Sequence, residues 1–194
     1  MDRRIYLLSL LLIGLVLATS CKDTEQVGKF DNWKARNEAY MDSLQNAYDT
    51  KPNHGGLEYI VPMSNNKLKI FYKKTVAIEK GERPLFTDTA VVYYRGSYIF
   101  GEVFDQNFKG ADPNSSFDVA ASFSIQNFYA STGGGVSGWA DILQNMSVGE
   151  RWMTYIPWQM AYGAGGNNAI PGYSTLIFDI QLTSIKKQLP KINK

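Results

Sequence analysis

The sequence predicts an α+β fold in which a curved antiparallel sheet, a half-barrel, wraps over one short central helix. Beyond Gly56, segments of the chain alternate apolar and polar residues with period two, which is typical of strands with one buried face. A single internal helix, about Trp139–Asn145, interrupts these strands and directs Ile142 and Leu143 to one side. A sheet and a helix that each bury one apolar face form a two-layer domain.

Length and composition favour one domain with appendages. The chain has 194 residues, of which 44% are apolar and 20% are charged, enough apolar surface for a packed core. The formal net charge is +2, without a basic excess. Nucleic acid is therefore not expected as a partner.

The N-terminus has the features of a lipoprotein signal peptide. Arg3 and Arg4 precede an apolar stretch of 15 residues, Ile5–Thr19, which is shorter than the roughly 20 residues of a membrane span. Small residues then precede Cys21, the only cysteine, in a pattern that resembles a bacterial lipobox. We expect residues 1–20 to be cleaved and Cys21 to carry lipid, which holds the protein at the membrane of the cell envelope. The expected membrane is the outer one. The sequence is compatible with attachment on either its periplasmic or its surface side. An ordinary secretory signal with a chance cysteine is the alternative.

The next segment, residues 21–55, is predicted as a tether and an N-terminal amphipathic helix. The helix is expected over about Asn32–Tyr48, because Trp33, Tyr40 and Tyr48 fall near one face. This aromatic face packs either on its own domain or in a contact with a second copy or another protein. Residues 56–187 form the predicted main domain, and residues 188–194 form a C-terminal tail.

Four stretches account for the predicted strands of the main domain. They are residues 67–73, Thr89–Tyr98, Arg151–Pro157 and Leu176–Leu182. The alternation in the last of them is the clearest, with Leu176, Phe178 and Ile180 on one side.

The chain offers little conventional catalytic chemistry. His54 is the only histidine and Cys21 the only cysteine, so neither a zinc cluster nor a Ser-His-Asp triad can form, and no cofactor or metal is expected. Asp141 suits the first turn of the central helix, and Asp179 is expected to face outward or to pair locally. Asp105, directly after Phe104, is the polar residue predicted to be functional.

Six short motifs occur in an order and spacing that resemble one enzyme family. They are V-V-Y-Y-R-G (residues 91–96), G-E-V-F-D (101–105), V-S-G-W (136–139), M-S-V-G-E-R (146–151), A-Y-G (161–163) and I-P-G-Y-S-T-L-I-F-D (170–179). Together they resemble the FKBP-type peptidyl-prolyl cis-trans isomerases over about Pro84–Lys186. The resemblance implies an FKBP-like fold and an apolar, aromatic cavity.

The resemblance also implies roles for nine residues of that cavity. The expected catalytic residues are Tyr94, Phe104, Asp105, Trp139, Tyr162 and Phe178, and the expected substrate-binding residues are Phe123, Val136 and Ile170. Trp139 would form the floor, and Tyr162 would offer its hydroxyl to a peptide carbonyl. Phe117 rivals Phe123 as a wall residue because this region is irregular.

The implied function is isomerisation of X-Pro bonds in proline-containing envelope or secreted polypeptides, without covalent or acid-base chemistry. The alternative is a non-catalytic peptide-binding or chaperone lipoprotein that uses the same pocket. A third interpretation is a structural envelope lipoprotein that acts through its N-terminal helix. The segment Gln106–Gly138 is longer than in compact members of the family, and Gly133–Gly135 stand where a bulkier residue is usual. The rim is therefore remodelled, and the substrate preference and the oligomeric state stay open.

Overall fold

The computed structural model describes residues 28–130 and 135–188. The chain divides into two units, Met1–Asp31 and Asn32–Lys194, and every element named in this section belongs to the second. The predicted signal peptide, Cys21 and residues 189–194 of the predicted tail lie outside the described residues. Within the described ranges, no helix combines the length and apolar character that a membrane span requires.

In this part of the chain the fold is a seven-stranded antiparallel sheet with three α-helices. The strands are β1 (Glu58–Ile60), β2 (Ile70–Val76), β3 (Thr89–Ser97), β4 (Val103–Gln106), β5 (Ala121–Ser124), β6 (Arg151–Ile156) and β7 (Leu176–Lys186). The helices are α1 (Trp33–Thr50), α2 (Asn127–Ala130) and α3 (Gly138–Asn145). The strand order is β1-β2-β6-β7-β3-β4, and β5 also pairs with β3.

The hydrophobic core lies between α3 and the sheet. Ile142 and Leu143 of α3 are fully buried in one cluster with Trp152 of β6 and Ile180 of β7. Burial of each such aliphatic side chain contributes about 1.5–3 kcal/mol to stability. Since α3 cannot rotate without exposing this face, the core fixes the direction of its first turn, where Trp139 lies.

The long connection from β4 to β5 is held on the face of the sheet opposite to α3. Phe108 is buried, with the guanidinium of Arg95 4.2 Å and that of Arg151 5.6 Å from its ring centre. Arg151 also donates to both carboxylate oxygens of Asp179 on β7, at 2.7 and 2.6 Å. Of the two alternatives that the sequence left open for Asp179, the structure shows the local pair. The pair helps to anchor the connection through a bond from Arg151 to the carbonyl of Ala111 at 2.8 Å.

Helix α1 packs on its own domain. The indole N–H of Trp33 donates to the Ser174 hydroxyl at 2.9 Å, and the side-chain oxygen of Asn37 accepts the Thr175 N–H at 2.8 Å. At the other end of the helix, the ring of Tyr48 lies 5.2 Å from that of Tyr59 on β1. Its aromatic face therefore has partners within the domain. A contact with a second copy or another protein stays a prediction.

Candidate functional site

An apolar cavity of about 230 Å³ opens between α3 and the strands β3, β4, β5 and β7. Its lining contains seven aromatic side chains and one carboxylate. The lining residues are Tyr94, Phe104, Asp105, Phe123, Phe128, Gly135, Val136, Trp139, Tyr162 and Phe178.

Trp139 forms the centre of this aromatic cluster. Its ring is 3% exposed and lies 5.1 Å from Phe178 and 5.4 Å from Tyr94, in both cases edge to face. Phe123 and Phe128 are 5.3 and 5.6 Å away. Edge-to-face pairs at these distances are the arrangement that the aromatic quadrupole favours, and each adds about 0.5–1.5 kcal/mol beyond its buried area. The indole is therefore held rigidly at the bottom of the cavity.

The wall formed by Phe104 and Phe178 depends on Gly96 of β3. The two rings meet edge to face at 5.7 Å. A Cβ atom at Gly96 would lie 2.6 Å from a ring carbon of each phenylalanine. Real Cβ contacts are essentially never so short, so both rings occupy space that only glycine leaves free.

The polar groups of the cavity lie at its rim. The Tyr94 hydroxyl donates to the Asp105 carboxylate at 2.8 Å across the β3–β4 pair. Burial and this hydrogen bond together raise the pKa of Tyr94. Burial, with a smaller contribution from the Asp105 charge, also raises the pKa of Tyr162. Both phenols are thus protonated and able to donate at neutral pH.

Eight of the nine residues predicted for the site line the cavity, and Ile170 does not. Ile170 is 4% exposed and packs in the core. Its backbone is tied into a tight loop, in which its N–H donates to the Asn167 side chain at 2.7 Å and its carbonyl accepts the Asn167 N–H at 2.9 Å. This loop turns the side chain inward. Phe117, the rival of Phe123, is 85% exposed and lies outside the lining.

Phe128 is a wall residue that sequence reasoning missed. It lies on α2, a single helical turn within the long segment between the G-E-V-F-D and V-S-G-W motifs. Its ring contacts both Trp139 and Phe123. The adjacent aromatic pair Phe128–Tyr129 is the one signal that could have indicated a buried turn here. Two neighbouring aromatic residues, however, match neither the period of a strand nor that of a helix.

Comparison with known proteins identifies the family. The family described as FKBP-type peptidyl-prolyl cis-trans isomerase matches residues 80–183, just over half of the chain. This chain belongs to the FKBP family. The match covers all six motifs, so the predicted family is confirmed.

Curated relatives of this FKBP chain include two bacterial proteins. FkpA, an FKBP-type isomerase of Escherichia coli, is 30% identical over 153 residues, which are 79% of this chain and 46% of the relative. The outer membrane protein MIP of Legionella longbeachae is 31% identical over 177 residues, which are 89% of this chain and 65% of the relative. The chain thus spans about half the length of the first relatives it matches.

Solved structures confirm the predicted fold. The crystal structure of FkpA from Escherichia coli matches with a TM-score of 0.59 and 25% identity, covering 96% of this chain and 74% of that one. A peptidyl-prolyl isomerase from Pseudomonas syringae, at 22% identity and a TM-score of 0.56, shows the same fold over 79% of this FKBP chain and 96% of its own. Among the residues that the structure describes, no three His, Cys, Asp or Glu side chains cluster as metal ligands.

Proposed function

We propose that this protein catalyses cis-trans isomerisation of X-Pro bonds in envelope or secreted polypeptides, with the proline held in the aromatic cavity. The observation that carries the proposal is the position of Trp139, whose ring contacts four other aromatic rings at the bottom of a cavity of about 230 Å³. Such a surface is flat, rigid and apolar, and it suits the face of a proline ring.

The chemistry needs no nucleophile. Amide resonance creates a rotational barrier of about 18–20 kcal/mol, and X-Pro bonds isomerise over tens to hundreds of seconds. Rotation breaks that resonance, so the twisted amide is less dipolar than the planar one. An apolar cavity disfavours the planar form more strongly than the twisted form, and each 1.36 kcal/mol of this difference raises the rate about tenfold.

Tyr162 is proposed to orient the peptide. In the described structure its hydroxyl makes no hydrogen bond, whereas the hydroxyl of Tyr94 is already committed to Asp105. Tyr162 can therefore donate to a substrate carbonyl and hold one side of the bond still while the other rotates. Because its pKa is raised, this donor persists through neutral pH, and we expect a rate that is nearly constant between about pH 6 and 9.

The test compares cis-to-trans relaxation of a short X-Pro peptide in the presence of wild type, Tyr162→Phe and Tyr173→Phe. Loss of one hydrogen bond, about 0.5–1.5 kcal/mol, lowers kcat/KM by roughly 2- to 13-fold in Tyr162→Phe. Tyr173→Phe, on the next loop and outside the cavity lining, keeps the wild-type rate. Peptide binding without any acceleration by the wild type would instead select the non-catalytic chaperone.

We also propose that lipid on Cys21 anchors the protein at the outer membrane. The lipobox-like sequence before Cys21 and the similarity to a relative named as an outer membrane protein support this location. Cys21→Ala is expected to move the protein from the membrane fraction to the soluble fraction, as judged by fractionation and immunoblotting. Undiminished membrane association of Cys21→Ala would refute lipid anchoring.

A further inference from the structure

A second concave surface, which we call the apolar groove, lies beside α2. It encloses about 410 Å³ and is lined by Met63, Ser64, Phe86, Tyr129 and Gln144, none of which carries a charge. Met63 is 88% exposed and Phe86 is 43% exposed. Large apolar side chains that surround a concave surface in this way are typical of a site that binds another apolar group.

The apolar groove and the aromatic cavity lie on two sides of α2. Phe128 turns its ring into the cavity, 5.6 Å from Trp139, while the next residue, Tyr129, turns its ring into the groove, 5.9 Å from Phe86. A single helical turn thus separates the two surfaces. An extended polypeptide that leaves the cavity in the direction of α2 therefore reaches the groove.

The groove is held in shape by a buried carboxylate. Asp141, 3% exposed on α3, accepts the Tyr129 hydroxyl at 2.7 Å and the Met63 N–H at 3.2 Å. These two bonds connect the walls of the groove to the helix that carries the cavity floor in its first turn. A preorganised surface binds a flexible chain with less loss of entropy than a mobile one.

We propose that the apolar groove holds an apolar segment of the same polypeptide whose proline occupies the cavity. The proposal rests on the isomerase function proposed above and names its substrate class: unfolded chains with an apolar block a few residues from the proline. The uncharged lining selects apolar side chains, and the shared wall at α2 places both sites on one extended chain.

The first experiment measures kcat/KM for peptides that share one X-Pro bond and differ in the residues after the proline. One is a tetrapeptide, and the others carry a block of three leucines separated from the proline by about two, four or eight polar residues, reaching roughly 7, 14 and 28 Å when extended. A parallel set places the block before the proline. We expect one spacing to raise kcat/KM about tenfold over the tetrapeptide, since the groove then buries one or two apolar side chains.

The variant Met63→Ser/Phe86→Ser tests whether the gain comes from the apolar groove. It is expected to abolish the gain and to leave the tetrapeptide rate unchanged, because neither residue lines the cavity. The matched control is Phe117→Ser/Val119→Ser, which removes two side chains that are 85% and 79% exposed on the connection from β4 to β5. This control keeps the full gain.

The outcomes separate this proposal from the isomerase function. A wild type that accelerates the tetrapeptide but gains nothing from any apolar block overturns the groove proposal alone.

Inactivity on every peptide overturns the isomerase function, and the groove is then tested by binding of a proline-free leucine peptide, measured by fluorescence anisotropy. Equal binding of the leucine peptide by the wild type and Met63→Ser/Phe86→Ser overturns the groove proposal. A wild-type dimer that the same variant converts to a monomer in sedimentation overturns it as well, because the groove then holds a second copy.

Discussion

At the scale of single residues, the aromatic cavity depends on a position without a side chain. Gly96 lies where the rings of Phe104 and Phe178 come within 2.6 Å of an ideal Cβ position. The walls can therefore approach the floor closely enough to enclose a ring as small as that of proline. Trp139 forms the floor of the cavity, and Gly96 determines the width of the cavity.

Gly96→Ala is expected to impair stability and activity together. The added methyl group must displace both rings, and overpacking of this kind destabilises a core by about 1–3 kcal/mol. Denaturant unfolding and the isomerisation assay measure the two effects. Gly165→Ala is the control, since a Cβ there meets nothing within 4 Å and no positive φ is required. Wild-type stability in Gly96→Ala would show that the rings move without penalty.

At the scale of elements, helix α1 is hydrogen-bonded to the segment that directly precedes β7. Asn37 is fully buried, and its amide donates to the Trp33 carbonyl at 2.7 Å while its oxygen accepts the Thr175 N–H. A buried amide with both of its polar atoms bonded fixes position and register more strictly than apolar packing does. The helix is thus part of the folded domain.

Asn37→Ala leaves the buried Thr175 N–H without its partner. We expect the free energy of unfolding to fall by about 1–3 kcal/mol, measured by denaturant titration. Asn46→Ala, an exposed asparagine on the same helix, controls for the change in helix propensity and should stay within about 0.5 kcal/mol of wild type. Equal losses of unfolding free energy in the two variants would mean that the hydrogen bonds of Asn37 do not stabilise the packing of α1.

The strands β6 and β7 are joined by the ion pair between Arg151 and Asp179, whose side chains are 12% and 10% exposed. Asp179→Ala leaves a largely buried guanidinium without this partner, and we expect a loss of about 3–5 kcal/mol in unfolding free energy. Asp112→Ala removes the other carboxylate on the same arginine, which is 83% exposed, and should change stability by less than about 1 kcal/mol. Thermal unfolding of both variants measures the two losses of stability. A similar loss in Asp179→Ala and Asp112→Ala would contradict the importance of the buried ion pair.

At the scale of the whole molecule, the sequence predicted the sheet, the central helix and most of the site, because these depend on periodicity and on contiguous motifs. β7 was predicted from its alternation and β3 from its β-branched and aromatic residues, and these two strands and β6 were located within a few residues. Helix α2 and the inward turn of Ile170 were not predicted. Phe128 reaches the cavity by packing against Trp139, and the backbone of Ile170 is held by a hydrogen bond to Asn167. Neither contact produces a period in the sequence.

The whole molecule should lose stability in alkali. Burial raises the pKa of six tyrosines: Tyr40, to about 12, and Tyr72, Tyr94, Tyr129, Tyr155 and Tyr162. In the unfolded chain these phenols ionise near pH 10. A pKa that is higher in the folded state contributes stability below about pH 10, and this stability is lost as the pH rises toward 12 and beyond.

Spectrophotometric titration of the phenolate band, with circular dichroism, measures this loss. The six tyrosines with raised pKa values should ionise only well above pH 10, together with unfolding. In concentrated denaturant all 12 tyrosines should titrate near pH 10, which serves as the control. Ionisation of every tyrosine near pH 10 in a chain that stays folded would contradict the raised pKa values.

The strand order has a consequence for how the protein is made. β7, the last of the described strands, lies between β6 and β3 in the sheet, and its pairing with β3 joins Thr89 to Lys186. Until that strand emerges, two halves of the sheet have unpaired edges and the cavity lacks Phe178. Pairing over such long sequence separations is slow, so the domain should assemble in one late cooperative step once β7 has left the ribosome. An FKBP domain with this topology is therefore exposed to aggregation until its final strand is in place.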